Sequence, residues 1–458
     1  MEIVRKNRSN SIDMLNGPMG RKILFFALPI GLGSMIQQVF NAVDVAVVGQ
    51  FCTNEALAAV GSNGSVIALI LSIFIGISVG TNVVVANYIG RGADARIPAV
   101  VHTSMAVALI CGFALLVAGQ FIARPILELM STPENVIDLS ELYLKIYFLG
   151  MPFIMLYNFG AAVLRSIGDT KRPLISIVVA GVINAALNVF FVVCLGMSVD
   201  GVATATVISN VVSGFMVVRW LLKEEEPLTF HPKKLSIDGL ELKKLIQIGV
   251  PSGLQGAVFS LSNVCIQSGI NLLGSDAVAG SAVALNFEYM TYFALTGFNQ
   301  AAMTFISQNY GAGKLDRCNR AFRLSMLYGI LVCLILDLTF VLGRYLFVGI
   351  FTNDPVAAGY AYQRMIIVLL FQVMVCSYEI TGSALRAFGY SMTPSVLTII
   401  GTCMVRIVWV YTVYPGSGSF ALLMAIYPIS WIITGTLVVS AYIIIWKKIR
   451  TGRAVSRI

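Results

Sequence analysis

Charge is scarce in this sequence. Asp, Glu, Lys and Arg together make up 12% of its 458 residues, whereas a soluble domain contains about 25%. Hydrophobic residues account for 57%. Because so little charge is unsuited to a large surface in water, we expect a lipid bilayer to be the main solvent of this chain.

Motifs of metal, phosphate and disulfide chemistry are missing as well. The only two histidines, His102 and His231, are too far apart for the H-E-x-x-H motif of a zinc protease. No G-x-x-x-x-G-K-[ST] phosphate loop occurs, and the eight cysteines include no C-x-x-C pair. We therefore expect no cofactor, no zinc site and no self-contained ATP-driven pump. A nucleophile–base pair for a membrane enzyme is not evident either.

Apolar runs long enough to cross the hydrocarbon, which takes about 20 residues of helix, recur throughout the sequence. We predict twelve transmembrane helices and hence an all-α membrane protein. The runs lie near residues 24–48, 57–88, 99–122, 140–163, 173–195, 201–222, 246–272, 278–307, 321–345, 359–383, 394–414 and 420–446.

Positive charge follows a pattern along these runs. Lys and Arg accumulate before the first run and after the second, fourth, sixth, eighth and twelfth, with Arg124 and Arg344 as the clear exceptions. This positive-inside pattern predicts that both termini are cytoplasmic. It accounts for the net charge of +9 without a nucleic-acid partner. The residues concerned are Arg5, Lys6, Arg8, Arg21, Lys22, Arg91, Arg96, Lys171, Arg172, Lys233, Lys234, Lys243, Lys244, Lys314, Arg317, Arg320, Lys447, Lys448 and Arg450.

Internal similarity indicates a duplication. LRSIGDTKRP at 164–173 matches LRAFGYSMTP at 385–394, with the arginines 221 residues apart (386 − 165). Each repeat carries six predicted helices, an even number, so both insert with the same orientation and the pseudo-two-fold axis runs along the membrane normal. A substrate cavity is expected between two such six-helix lobes. We predict an N-lobe at 1–222, a cytoplasmic linker at 223–245 and a C-lobe at 246–458. The same offset relates 90–92 to 311–313, 131–136 to 352–357, and 56–61 to 277–282.

A single carboxylate, Asp44, lies inside the first predicted helix. Gln37, Asn41 and Asp44 follow helical spacing (i, i+4, i+7) and share one face. Pro29 lies upstream and permits a kink because it cannot donate a backbone hydrogen bond. Ionisable residues at membrane depth usually mark ion or substrate pathways, so Asp44 and Asn41 are candidate ion-coupling residues and Gln37 is a candidate substrate contact.

The fifth predicted helix carries Asn184 and Asn188, also on one face, and these amides are candidate partners for Asp44. A carboxylate lined by neutral oxygens suits reversible protonation, and it equally suits sodium. Two plainer alternatives remain open. In the first, Asp44 is permanently protonated or paired and only fixes helix packing. In the second, Asn184 and Asn188 serve only as contacts between helices.

The second half places Glu288 in the eighth predicted helix, and Gln372 and Glu379 on one face of the tenth. Both glutamates are candidates for attracting a cationic substrate, with Gln372 beside them. Tyr292 belongs to a group of aromatic and methionine side chains that suits adaptable apolar binding or, alternatively, a lipid-facing or core stripe. Structural pairing of either glutamate with Arg364 or Arg406 is the other alternative. The group consists of Phe287, Tyr289, Met290, Tyr292 and Met303, and Asp337 is left without a role.

These motifs resemble the multidrug and toxic compound extrusion (MATE) transporters, over essentially the whole chain. The helix 1 carboxylate in FNAVD makes the chain most similar to the bacterial DinF-like branch. The segments that carry the resemblance are Pro29 with FNAVDVAVVG, ALAAVG, GISVGTNVVVANYIGRG, LRSIGDTKRP, ISQNYGAGK and ALRAFGYSMTP.

The resemblance implies two six-helix lobes about a central cleft and proton- or sodium-driven antiport of organic cations and other amphipathic compounds. It implies coupling at Asp44, bending at Pro29 and a role for Asn184. Archaeal members of the branch have a second aspartate where this chain has Asn188. Another branch of the family has a cation site in its second lobe, with a carboxylate on the seventh helix. The predicted seventh helix of this chain has no carboxylate. Whether sodium binds at Asp44 or at Glu379 therefore stays open.

We therefore predict a monomeric antiporter of the bacterial inner membrane that uses a proton or sodium ion and no other cofactor. Its partners are expected to be small cationic or amphipathic compounds and membrane lipid. The first alternative is a flippase for lipid-linked precursors from the same superfamily. A membrane enzyme is the alternative from another class.

Overall fold

The computed structural model describes residues 11–130, 132–415 and 418–453, apart from the side chains of Ser62 and Ser65. Arg5, Lys6 and Arg8, which support the predicted topology, lie outside these ranges, and so does Ser131. The described chain is helical almost throughout. Its helices are α1 (Met19–Phe51), α2 (Asn54–Arg91), α3 (Ile97–Leu129), α4 (Glu134–Leu149), α5 (Met151–Ser166), α6 (Lys171–Asn188), α7 (Val199–Leu222), α8 (Gly239–Asn271), α9 (Ser275–Gly311), α10 (Leu315–Leu342), α11 (Arg344–Gly349), α12 (Pro355–Arg364), α13 (Leu370–Gln372), α14 (Val375–Ala387), α15 (Met392–Thr398), α16 (Val405–Val408), α17 (Phe420–Met424) and α18 (Ile426–Arg450).

Eight helices in the described ranges are long and apolar enough to cross a membrane, and the number is ten if two bent helix pairs are each one span. The all-α, multi-span fold is therefore confirmed. Two more of the predicted runs, near 246–272 and 278–307, coincide with α8 and α9, of 33 and 37 residues. Helices of that length reach across a bilayer, but polar residues dilute their apolar character. The count of twelve stays a prediction.

The bent pairs interrupt predicted runs that read as continuous in the sequence. The run near 140–163 is α4 followed by α5, with a bend of 49°. Gly150 joins the two helices and Pro152 lies in the first turn of α5, where its missing N–H is tolerated. The second bend, of 42°, separates Pro355–Gln372 from α14.

The chain divides into two compact units. Unit 1 contains residues 11–13 and Leu32–Val250, and unit 2 contains Met14–Gly31 and residues 251–453. The division crosses α1 two residues after Pro29, and it crosses α8 directly before Pro251. The lobe limits predicted from the repeat stay a prediction.

Close approach of α1 and α6 within unit 1 positions the polar face of α1. A Cβ at Gly181 would overlap the ring of Phe40, so glycine is needed where the two helices meet. Asn184 and Asn188 follow Gly181 by roughly one and two turns of α6. The contact therefore brings the amides of α6 to the level of the carboxylate on α1.

Four π-helical segments, Val189–Cys194, Met365–Leu369, Ile399–Met404 and Trp409–Val413, interrupt the described helices. A π turn takes in an extra residue and frequently lies at a functional site. The first segment begins directly after Asn188. The third lies in the part of unit 2 that repeats α6, where unit 1 has an uninterrupted α-helix.

Candidate functional site

A chain of hydrogen bonds joins Asp44 to α6 and α7 in unit 1. The side-chain amide of Asn188 donates to Asp44 Oδ1 and also to Asn184 Oδ1, at 3.3 Å. Asn184 in turn donates to Thr206 Oγ1 at 3.3 Å, and Thr206 donates to the backbone oxygen of Val202. The structure therefore brings together three of the four predicted ion-coupling residues, and adds Thr206.

Asn188 holds an unused acceptor at this site. Its side chain is fully buried, and its Oδ1 has no hydrogen-bond partner among the described residues. A buried amide oxygen without a partner costs free energy. A proton donor or a metal cation beside Asp44 would satisfy it.

No basic side chain in the described ranges lies within ion-pair distance of Asp44, which is partly buried. The titratable groups within its electrostatic range are Tyr143 and Tyr147 of α4, whose rings are 6.2 Å apart. Neither phenol is a counter-ion for a carboxylate. A negative charge at membrane depth without a counter-ion is costly, so the site favours a bound proton or cation.

The other predicted residues of α1 lie apart from this hydrogen-bond chain. Gln37 and Asn41 are exposed, and Pro29 lies inside the helix. Amides are expensive against lipid, so we interpret the face with Gln37 and Asn41 as one that meets water. Pro29 leaves a backbone carbonyl one turn earlier without its usual donor.

Glu288 of unit 2 is ion-paired with Arg364, one of the two arginines named as alternatives. The guanidinium donates to both carboxylate oxygens, at 2.6 and 2.9 Å. Arg364 also donates to Ser281 Oγ at 2.5 Å and to the Tyr427 hydroxyl at 3.3 Å. Gln372 donates to the backbone oxygen of Glu288 at 2.8 Å. The charge of Glu288 is thus neutralised within the protein.

Glu379 and Tyr292 form a separate group. Asn299 donates to Glu379 Oε2 at 3.3 Å, and both Tyr292 and Arg386 lie within electrostatic range of that carboxylate. Arg386 donates instead to Gln255 Oε1, at 2.7 Å. The predicted substrate residues of unit 2 thus fall into two clusters, one ion-paired and one held by an amide.

Thr206 and Arg386 were missed in the sequence. Thr206 is one hydroxyl among many in apolar helices, and only the contact with Asn184 distinguishes it. Arg386 belongs to the repeated LRAFG segment and reads as part of a loop motif, although it is buried. No local signal identifies its partner Gln255, which is 131 residues away.

One G-x-S-x-G pattern, typical of hydrolase nucleophiles, occurs at 76–80. It lies inside α2, where the Ser78 hydroxyl donates to the backbone oxygen of Ile75 at 2.7 Å. A Cβ at Gly80 would overlap the backbone oxygen of Leu245. The pattern therefore serves close packing of α2 on α8, without the strand-to-helix turn that a nucleophile requires.

The duplicated bundle of long apolar helices defines a multi-span membrane protein. The family model MatE matches residues 29–190 and again 251–412, which together exceed half of the chain. The chain therefore belongs to the MatE family of transporters and is not an enzyme. The two matches are 222 residues apart (251 − 29), in agreement with the duplication that the motifs indicate.

Several relatives align over most of the chain. It is 28% identical over 446 residues to "Probable multidrug resistance protein YoeA" of Bacillus subtilis, which covers 95% of this chain and 96% of that protein. It is 26% identical over 404 residues to the "FAD transporter" of Shewanella oneidensis, covering 84% and 86%. "Probable multidrug resistance protein NorM" of Thermotoga maritima is 25% identical over 399 residues, covering 84% of each.

Solved structures of transporters have the same fold. A MOP superfamily transporter from Pyrococcus furiosus superposes with a TM-score of 0.89 at 20% identity, covering 97% of this chain and all of the other. An outward-facing multidrug resistance MATE family transporter gives the same TM-score and coverage. These likenesses establish the fold.

Proposed function

We propose that this protein is an ion-coupled antiporter that exports organic-cation or amphipathic compounds, with Asp44 as the coupling residue. The observation that carries the proposal is a carboxylate at membrane depth that is held by an amide and lacks a basic partner in the described ranges. A carboxylate in that setting gains stability by binding a cation and loses it on release. The names of two aligned relatives, which describe multidrug resistance proteins, support the substrate class.

The amide of Asn188 suits both states of Asp44. An ionised Asp44 accepts from the Asn188 amide N–H groups, in a charge-assisted hydrogen bond. A protonated Asp44 has an O–H group to donate, and the unused Asn188 Oδ1 is an acceptor for it. Uptake of a proton therefore changes the contact between α1 and α6 without leaving a buried polar group unpaired.

Sodium is the second coupling ion that these residues suit. Asp44 and the two asparagines offer carboxylate and amide oxygens, the donors that hard cations prefer. Proton coupling and sodium coupling differ in which imposed gradient drives efflux, and each predicts transport without the other ion.

The change at Asp44 is passed on through α1. Pro29 lies within that helix where the chain leaves unit 2 for unit 1, and a proline permits bending at such a point. We assign Pro29 the role of a hinge that follows the state of Asp44. We further propose that the chain belongs to the DinF-like branch, and the resemblance of the FNAVD segment, which carries the same aspartate, supports this.

Substrate contacts are assigned to Glu379 and Tyr292, with Gln37 on the exposed face of α1. Glu379 is the better candidate for a cationic group because an amide, rather than a guanidinium in ion-pair contact, holds it. Glu288 and Gln372 contribute only if the pair with Arg364 opens. The protein acts as a monomer in the bacterial inner membrane with both termini in the cytoplasm.

The test is dye efflux from proteoliposomes under separately imposed proton and sodium gradients. Asp44→Asn keeps the size and hydrogen bonding of the site but cannot cycle its charge, so we expect efflux to be abolished. Asp337→Asn is the matched control, since Asp337 is another aspartate inside an apolar helix and is more deeply buried than Asp44, and we expect it to transport normally. Wild-type efflux by Asp44→Asn would refute the proposal.

A further inference from the structure

The duplication allows the ion site of unit 1 to be compared with the same place in unit 2. Pro29 and Pro251 begin the two family matches and are 222 residues apart. Both helices continue without interruption beyond them. The same offset relates Asn41 to Asn263 and Asp44 to Ile266, which is 1% exposed. Unit 2 therefore has an apolar side chain where unit 1 has its carboxylate.

The part of unit 2 that corresponds to α6 contains one extra residue. Pro173 and Pro394 are 221 residues apart, whereas the matches end at 190 and 412, which are 222 apart. The π segment Ile399–Met404, in a stretch where α6 has none, accounts for the extra residue. Beyond it, Arg406 corresponds to Asn184 and Val410 corresponds to Asn188.

The third helix of the unit 1 site, α7, corresponds to α18 of unit 2. Ser209 matches Ser430 and Gly214 matches Gly435, both at an offset of 221. At that offset Tyr427 corresponds to Thr206, the partner of Asn184. Each position of the unit 1 site therefore has a counterpart in unit 2, but the side chains there are Ile266, Arg406, Val410 and Tyr427.

Arg406 contacts Tyr427, the equivalent of Thr206, and Asn263, the equivalent of Asn41 on the polar face of α1. Its Nη1 donates to Asn263 Oδ1 at 3.2 Å and its Nε to Ser430 Oγ at 3.2 Å. Its guanidinium lies 4.5 Å from the ring centroid of Tyr427 and 5.4 Å from that of Phe259. The side chain is fully buried, and no carboxylate in the described ranges lies within ion-pair distance of it.

Neutral dipoles and aromatic faces thus hold a permanent positive charge. Arginine does not lose its proton in proteins, and cation–π contacts strengthen when they are desolvated. Carbonyl oxygens, hydroxyls and aromatic faces are the groups that also hold a small bound cation. Arg406 Nη2 has no hydrogen-bond partner in the described ranges, but the positive charge at this site is supplied by the protein itself.

From this correspondence we infer that the guanidinium of Arg406 is a built-in substitute for the exchangeable cation, so that unit 2 exchanges no ion at the place equivalent to Asp44. With Ile266 at that position the counter-charge is gone, and the fixed positive charge repels a second cation. Unit 2 stays in the cation-loaded arrangement while unit 1 cycles. This inference rests on the proposed role of Asp44.

The test is chemical rescue of Arg406→Ala in proteoliposomes. Removing the side chain leaves a space lined by Asn263, Tyr427 and Ser430, and we expect efflux to fall about tenfold or more because a buried charged hydrogen-bonding group is lost. Guanidinium ion added on both sides should restore efflux several-fold. Urea has the same shape without the charge and should restore none.

Equal rescue by urea and guanidinium would overturn the inference, because the side chain would then only fill space. Undiminished efflux by Arg406→Ala would overturn it too. If Arg406→Ala does not fold, Arg406→Lys and Arg406→Met replace it. The lysine variant should retain several-fold more efflux than the methionine variant at equal thermal stability, and equal rates would contradict the inference. The Asp44→Asn experiment tests the coupling role separately, so failure of one proposal is distinguishable from failure of the other.

Discussion

Asp44 in unit 1 and Glu288 in unit 2 are both carboxylates inside apolar helices, yet their surroundings are opposite. Asp44 accepts from one amide and has no basic partner in the described ranges. Glu288 accepts two hydrogen bonds from a guanidinium that is 1% exposed. The same chemical group therefore has no basic partner in the described ranges of one unit and is ion-paired in the other.

A charge inside an apolar helix is therefore not by itself evidence of a transport role. Removing one partner of a buried ion pair costs about 3–5 kcal/mol, which holds Glu288 and Arg364 together. Asp44 has only an amide hydrogen bond, from Asn188, in the corresponding place. The neighbouring group, rather than the carboxylate itself, decides whether the negative charge is already balanced within the protein.

The largest effect expected in this comparison is that of breaking the unit 2 pair. Glu288→Gln leaves Arg364 buried without a counter-ion, and we expect the free energy of unfolding to fall by about 3–5 kcal/mol. Thermal unfolding of the purified protein in detergent measures this. The double variant Glu288→Gln/Arg364→Met removes both charges and should regain most of the loss. A single variant as stable as wild type would show that the pair contributes little.

A smaller effect is expected at the amide of unit 1. Asn188→Ala removes one charge-assisted hydrogen bond to Asp44, worth about 1.5–3 kcal/mol, and should shift the half-maximal coupling-ion concentration about tenfold or more. Efflux measured against the imposed ion gradient gives this value. Asn286→Ala serves as control, because that amide is exposed and donates to its own helix, at Ala282 O. Equal shifts in both variants would contradict a specific role for Asn188.

The smallest effect is expected at Asp337. This side chain is 2% exposed, and neither carboxylate oxygen has a hydrogen bond of good geometry in the described ranges, although the Thr291 hydroxyl lies beside it. Asparagine has nearly the size of an aspartic acid side chain, and no ion pair or well-formed hydrogen bond in the described ranges is lost, so Asp337→Asn should change the free energy of unfolding by less than about 1 kcal/mol. Thermal unfolding and efflux together check this. Loss of efflux at unchanged stability would place Asp337 in the transport cycle and weaken the contrast drawn with Asp44.

Much of the fold was predictable because lipid imposes a simple rule. Apolar runs mark the helices, and the similarity of the LRSIGDTKRP and LRAFGYSMTP segments is enough to reveal the duplication. The bend at Gly150 was not predicted, since a glycine followed by Pro152 is also compatible with a straight first turn. The π segment Ile399–Met404 was equally invisible, because its residues suit an α-helix.

The candidate site was predictable only in part. Helical spacing placed Gln37, Asn41 and Asp44 on one face, but spacing says nothing about which neighbour each residue meets. Of these three, only Asp44 joins the hydrogen-bond chain through Asn188. For Glu288 the alternatives of substrate contact and ion pairing could not be separated from the residues alone.

Three features can be read from the residues alone: the chain is a membrane protein, it consists of two copies of one unit, and only a few acidic residues lie inside its apolar helices. Those features follow from composition and periodicity, which need no knowledge of contacts. The partners of these acids are visible only in the folded protein, where Glu288 is paired with a guanidinium and Asp44 accepts from an amide. Pairing depends on residues far apart in the chain, 76 residues for Glu288 and Arg364 and 144 for Asp44 and Asn188, and helix packing alone brings them together.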